Sequence, residues 1–196
     1  MRQLIQAAFT AAGRTLRAIV QEEENLVRFE KMAELIATCF QNGGKALICG
    51  NGGSLCDAMH FAEELSGKFR SDRPALPAIA LSDPAHLTCV ANDYGFENVF
   101  SRGVEAYAKP GDVVIGLSTS GNSANVIKAL KTAKEAGCAT IVLLGRDGGK
   151  LAGTCDLEII VPAQTADRVQ EMHTLILHTI IECVESRLFP HQSSGA

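Results

Sequence analysis

The sequence predicts an α/β fold: a doubly wound, five-stranded parallel sheet flanked by helices and preceded by a helical pair. Three observations carry that prediction. Short apolar runs bounded by glycine or polar residues recur after Lys45, and stretches of helical periodicity fill the intervals between them. A hydrophobic fraction of 46% with 18 glycines suits a compact core punctuated by tight turns. The 196 residues fit one domain, read as helices over 1–42, an α/β core over 43–190 and a tail over 191–196.

Taken in order, Leu4, Ala7, Ala8, Ala11, Ala12, Leu16, Ile19 and Val20 fall at helical spacing without an interrupting proline. A second helix runs from Asn25 to Gln41 and stops at Asn42-Gly43-Gly44, the usual punctuation of a helix end. These two helices carry no evident chemistry, and their expected role is to cover the domain or meet another subunit. Ala46–Cys49 is the first strand, and a helix follows over 54–70. Ala78–Leu81 is the second strand, with two shorter helical stretches over 84–108. Val113–Leu117 is the third, followed by a helix from Ser123 to Glu135 that closes at Gly137. Thr140–Leu144 and Leu157–Val161 are the fourth and fifth strands. A long helix from Ala166 to Phe189 then carries one apolar stripe, Val169, Met172, Ile176, Ile180 and Val184. Helices between strands imply right-handed crossovers, and ligands of such sheets bind at the carboxyl ends of the strands. The ending Gln192–Ala196 reads as a disordered tail or a cloning remnant.

Composition excludes several classes. The net charge is −4 with no block of like charges, which argues against a dedicated nucleic-acid surface. No apolar run approaches the ~20 residues that span a bilayer. The N-terminus lacks the apolar core and cleavage site of a signal peptide. Seven cysteines without CxxC spacing read as buried thiols in a reducing compartment, with packing the expected role of Cys49 and Cys56. A cytoplasmic location follows from these points.

The strongest motif is Ser118-Thr119-Ser120-Gly121-Asn122-Ser123, directly after the third strand and opening a helix. Hydroxyls and free N–H groups at a helix N-terminus form an anion site, and four hydroxyls exceed what a helix cap needs. Neither a phosphate-loop lysine nor GxGxxG is present, so a phosphomonoester fits better than a nucleotide. Asn51-Gly52-Gly53-Ser54 after the first strand is a matching loop, weak evidence when taken alone. On the next helix His60 and Glu64 share a face at i,i+4 spacing, suited to a divalent metal or a proton-transfer pair and equally to an ordinary surface contact. Asp57 and Glu63 fall on other faces. In the last helix Gln170 and His178 lie about 80° apart by the 3.6-residue repeat, so both can face one cleft. The spacing admits His173 in place of His178, with the other histidine packed or solvated. His86 and His191 receive no role.

Cys49–Ser54, Asp57–Glu64, Ala91-Asn92-Asp93, Ser118–Ser123 and Gln170-Glu171 with His178 resemble the phosphoheptose isomerase branch of the sugar isomerase (SIS) family, over essentially the whole chain. The resemblance implies conversion of sedoheptulose 7-phosphate to D-glycero-D-manno-heptose 7-phosphate through an enediol, the first step of bacterial ADP- or GDP-heptose biosynthesis and towards the heptose of lipopolysaccharide. It implies homotetramers with active sites between subunits. It further implies zinc held by His60, Glu64, Gln170 and His178. Substrate would be contacted by Asn51, Gly52, Gly53, Ser54, Asn92, Asp93, Ser118, Thr119, Ser120, Ser123, Glu64 and Gln170. The chemistry requires a base, for which Glu64 is the candidate, and an acid, for which His178 is the candidate. The same fold includes adaptors that bind the replication initiator DnaA without catalysis, and the ending Leu188-Phe189-Pro190-His191-Gln192 resembles that branch. The presence of His60, Glu64 and His178 weighs against it.

Overall fold

A computed structural model describes residues 1–190; the tail over 191–196, and His191 with it, lies outside the described residues. The expected doubly wound sheet is the one observed. Helices α1 (Arg2–Gln21) and α2 (Glu23–Gln41) lead into β1 (Ala46–Gly50), α3 (Gly53–Ser66), β2 (Ala78–Ala80), α4 (Pro84–Tyr94) and α5 (Val99–Tyr107). Then come β3 (Val113–Ser118), α6 (Ala124–Glu135), β4 (Ala139–Gly145), β5 (Leu157–Val161) and α7 (Ala166–Leu188). Short 3-10 turns occupy Phe96–Asn98 and Gly149–Leu151. Helix α3 ends four residues earlier than its periodicity suggests, because Gly67 takes over at its C-cap and its N–H returns to the Glu63 carbonyl.

Every strand pairing is parallel and the order is β2-β1-β3-β4-β5. The direction of winding therefore reverses between β1 and β3, the position where such sheets bind ligands. Alternation along the strands feeds two cores. Ile48, Ile115, Leu117, Ile141, Leu143 and Ile159 face α2, α3 and α7, whereas Leu47, Val114, Val142 and Leu144 face α4, α5 and α6. Burial on both faces explains why the strands read as unbroken apolar runs, and each such side chain contributes roughly 1.5–3 kcal/mol over exposure.

Two carboxylates at the amino edge of the sheet each accept several hydrogen bonds. Asp112, just ahead of β3, accepts from the Lys45 ammonium at 2.5 Å, the Lys45 N–H at 2.9 Å and the Lys109 N–H at 2.8 Å. Burial by itself raises this carboxyl, but the hydrogen bonds and the charge of Lys45 more than reverse that, leaving it below its ordinary value. Asp156 accepts from the Thr140 N–H at 2.7 Å and hydroxyl at 2.6 Å, tying the entry of β5 to β4.

Helix α1 stands apart from this packing. Only Ile19 of it is buried, and Leu4, Ile5 and Phe9 are 75%, 53% and 77% exposed. The cysteine expectation holds in part. Cys39, Cys49 and Cys138 are buried, and desolvation pushes the Cys49 thiol up to about 12, so it is an inert packing group. Cys56, Cys89 and Cys183 are exposed, because they fall on the outward faces of their helices. No described helix is long and apolar enough to cross a membrane.

Candidate active site

Both expected loops emerge side by side at the carboxyl ends of β1 and β3. In the serine loop, the Ser118 and Ser123 hydroxyls bond each other at 3.0 Å, and Ser120 Oγ accepts from the Asn122 N–H at 3.2 Å. Ser123 makes no side-chain cap bond to α6, so capping does not account for the hydroxyls. Thr119 and Ser120 are half-buried, whereas Ser118 is buried. Gly121 has φ +63°, and a Cβ there would lie 1.8 Å from the Gly148 carbonyl oxygen. Only glycine permits both that backbone and that approach. The Leu151 N–H bonds Gly121 O at 3.1 Å, and the Lys150 N–H bonds Asn122 Oδ1 at 3.2 Å. The β4–β5 connection thus backs the loop.

In the glycine loop, Gly52 and Gly53 are exposed at the start of α3, where the Ser54 N–H bonds Asn51 O and the Leu55 and Cys56 N–H groups bond Gly52 O at 3.0–3.2 Å. A Cβ on Gly53 would fall 2.6–2.8 Å from the carboxamide of Gln170, so glycine is what admits that side chain. Gln170 Nε2 reaches Ser54 Oγ at 3.4 Å. The Asn51 amide is engaged twice by Asn125. Asn92 and Asp93 lie exposed on the last turn of α4, bonded to one another at 2.7 Å rather than to either loop.

Helices α3 and α7 run parallel and in register, and their seam is polar. Gln170 meets Gly53 and Ser54, Thr174 Oγ1 donates to Asp57 Oδ1 at 2.9 Å, and His178 meets His60. At the far end, ligand atoms of His60, Glu64 and His178 lie within 4.8 Å of one another. The two histidine Nε2 atoms are 2.8 Å apart and Glu64 Oε1 is 3.5 Å from His60 Nε2. Phe69 packs beside the His178 ring at 5.7 Å between centroids.

The separation of Gln170 from this trio corrects the expectation that it shares their cleft within one chain. Eight residues on α7 span about 12 Å of helix rise, and α3 meets Gln170 two turns above His60. Glu63 is a second correction. Its carboxylate reaches His60 Nδ1 at 3.0 Å, an i,i+3 contact that its placement on another face did not anticipate. The Glu63 carboxylate can accept from Nδ1–H, the tautomer that leaves the Nε2 lone pair to a metal ion.

His173 is a packing group. It is 0% exposed, and its Nε2–H donates to the Leu144 carbonyl at 3.0 Å, bracing α7 on β4. Burial lowers its pKa to about 4, so the ring is neutral. His86 likewise serves the fold, with Nε2 at 3.0 Å from Val99 O. Asp57 was given no role on sequence grounds. Burial raises its carboxyl, and its Oδ2 is buried without a partner among the described residues.

Two imidazole nitrogens and a carboxylate form a zinc-type donor set. Nitrogens on a tetrahedral zinc with bonds of about 2.0–2.1 Å stand about 3.3 Å apart, so the 2.8 Å pair needs only a small side-chain rotation to accommodate the ion. The donors fit.

A doubly wound sheet with a hydroxyl-rich loop at its switch point, and a histidine–carboxylate cluster further along the α3–α7 seam, makes an α/β protein of a class suited to phosphorylated ligands. The sequence signature of the SIS domain matches residues 9–145, and the chain belongs to that family. Within it, the phosphoheptose isomerase of Fusobacterium nucleatum subsp. nucleatum is 62% identical over 175 residues, 89% of this chain and 90% of that one. The phosphoheptose isomerase of Vibrio cholerae is 53% identical over 188 residues, 95% of this chain and 98% of that one. The structure of phosphoheptose isomerase from Neisseria gonorrhoeae is similar at TM-score 0.86 and 43% identity, covering 94% of this chain and 98% of that one. These relatives speak for the isomerase and give the adaptor reading no support.

Proposed function

We propose that the protein converts sedoheptulose 7-phosphate to D-glycero-D-manno-heptose 7-phosphate, an aldose–ketose isomerisation through an enediol that opens heptose biosynthesis. The observation that carries this reading is the meeting of His60, Glu64 and His178 on two helices whose seam begins at the glycine loop. Near-full-length identity to phosphoheptose isomerases supports the choice of substrate.

The serine loop, through Ser118, Thr119, Ser120 and Ser123, receives the phosphate at the N-terminus of α6. Asn51, Gly52, Gly53, Ser54 and Gln170 line the sugar, with Asn92 and Asp93 as further contacts. Glu64 takes the proton from the carbon beside the carbonyl and returns it to the neighbouring carbon. His178 exchanges the proton between the two substrate oxygens, so no net proton is gained or lost. Phe69 covers one side of the His178 ring. His60 would keep its Nε2 for zinc together with Glu64 and His178, and because a coordinated group is not at the same instant a free base or acid, Glu64 and His178 would move protons only when released from the ion. When bound, the ion polarises the substrate oxygens and stabilises charge that develops on them.

Gln170 completes the proposed ligand set only if more than one subunit builds the site, since one chain keeps it two helical turns from the trio. The exposed apolar face of α1, with Leu4, Ile5 and Phe9, supports burial against other copies in a homotetramer. Free thiols and the lack of a described spanning helix are consistent with a cytoplasmic enzyme.

The test is direct. Purified protein supplied with zinc is expected to convert sedoheptulose 7-phosphate to the aldose, followed by coupled assay or NMR. Product formation no faster than the enzyme-free blank would remove this reading.

A further inference from the structure

The geometry points to Asn125 as a positioning residue: with Asn51 it forms a two-way amide bridge across the β1/β3 switch point that fixes the glycine loop relative to the serine loop. This rests on the isomerase reading, which needs both loops on one substrate. Asn51 Nδ2 donates to Asn125 Oδ1 at 2.9 Å, and Asn125 Nδ2 donates to Asn51 Oδ1 at 2.8 Å. The Val126 N–H also donates to Asn125 Oδ1, at 3.0 Å. A backbone N–H can only donate, so the atom facing it must be the oxygen, and the orientation of both amides follows.

Asn125 is 3% exposed, and all three bonds lie in or beside the core. The bridge joins residues 74 apart in the chain. It also joins opposite sides of the sheet, since Asn51 leads into α3, which packs with α7, and Asn125 lies in α6, which packs with α5. Without it, the loop that anchors the phosphate and the loop that receives Gln170 are related only through β1 and β3 behind them. Asn51 is therefore held in place by Asn125, which takes up one N–H and one oxygen lone pair of its amide and leaves the second N–H for the sugar. What the bridge sets is the span between the anchored phosphate and the sugar-lining loop, on which a displacement of ~1 Å can cost ~100-fold in rate.

Two variants test this. Asn125→Ala removes the bridge. Asn125→Asp keeps the volume and the acceptor for Val126 N–H, but sets an oxygen against Asn51 Oδ1. Both are expected to fold and to lose about tenfold or more in kcat. Competitive inhibition by inorganic phosphate, which probes the serine loop alone, is expected to stay within about twofold. Asn51→Ala combined with Asn125→Ala should lower the melting temperature and kcat no further than the worse single variant.

Unchanged kcat in both Asn125 variants would overturn the inference. So would phosphate inhibition weakened as much as kcat, which would make the bridge a mere part of the anion loop. Losses that multiply in the double variant would show Asn51 touching substrate independently, and would also overturn it. A lack of turnover in the unsubstituted protein would instead remove the isomerase reading, and the melting cycle, which needs no substrate, would then judge the bridge itself.

Discussion

The two edges of the sheet treat their polar groups differently. At the amino edge, buried Asp112 accepts three hydrogen bonds and exposed Asp156 accepts two, and both carboxyls sit below their ordinary range. At the carboxyl edge and along the α3–α7 seam, Asp57 keeps an unpartnered buried oxygen and a raised carboxyl, while two histidine nitrogens face each other at 2.8 Å. Satisfied groups make a rigid edge, whereas unsatisfied ones hold capacity for a ligand at the expense of stability. His173, a scaffold group, also keeps a buried nitrogen, Nδ1, unpartnered among the described residues, so hydrogen-bond completeness marks the amino edge without by itself separating scaffold from site.

Substitutions on either edge can break that contrast. The largest effect is expected at Glu64→Gln, with turnover falling roughly 10³-fold while the denaturation midpoint barely moves. Near-normal turnover would exclude Glu64 as the base. The amino edge should do the reverse. Asp112→Ala strands the Lys45 ammonium and two N–H groups and should cost about 3 kcal/mol in urea unfolding, with kcat near normal under folded conditions. A loss of kcat matching that of Glu64→Gln would erase the distinction between edges.

A smaller, graded effect sharpens the role of His173, which belongs to the scaffold although it stands on the same helix as His178. Its pKa of about 4 in the fold lies below the ordinary 6.5, so between those values the unfolded chain binds more protons. Stability is then complete above pH 6.5 and falls by about 1.4 kcal/mol per unit as pH drops towards 4. His173→Gln can still donate to Leu144 O and should flatten that slope. Equal slopes in variant and parent, by urea denaturation at pH 7.5 and 5.0, would refute it.

Much of this was legible beforehand because it depends on local pattern. Strands buried on both faces read as apolar runs, and α3 and α7 declare themselves by spacing. The serine loop is visible because four hydroxyls crowd one helix start. Glu63 was within reach of the same reasoning, since i,i+3 neighbours touch on any helix. Asn125 was not, because an asparagine in a first turn reads as a local cap, and only the return of β3 beside β1 brings Asn51 to it. Nor could angular spacing place Gln170, since rotation about α7 says nothing of the level at which α3 meets it.

By itself, then, the sequence determined the elements, their order and the residue types available for acid–base, metal and phosphate chemistry, all consequences of periodicity and composition over short range. Spacing left His173 and His178 open and only the family resemblance chose between them, whereas tertiary structure alone decided that Gln170 meets α3 two turns from His60 and that Asn51 bonds Asn125. Those outcomes depend on the register of helices and strands far apart in the chain, which is set by the packing of both cores at once rather than by any one segment.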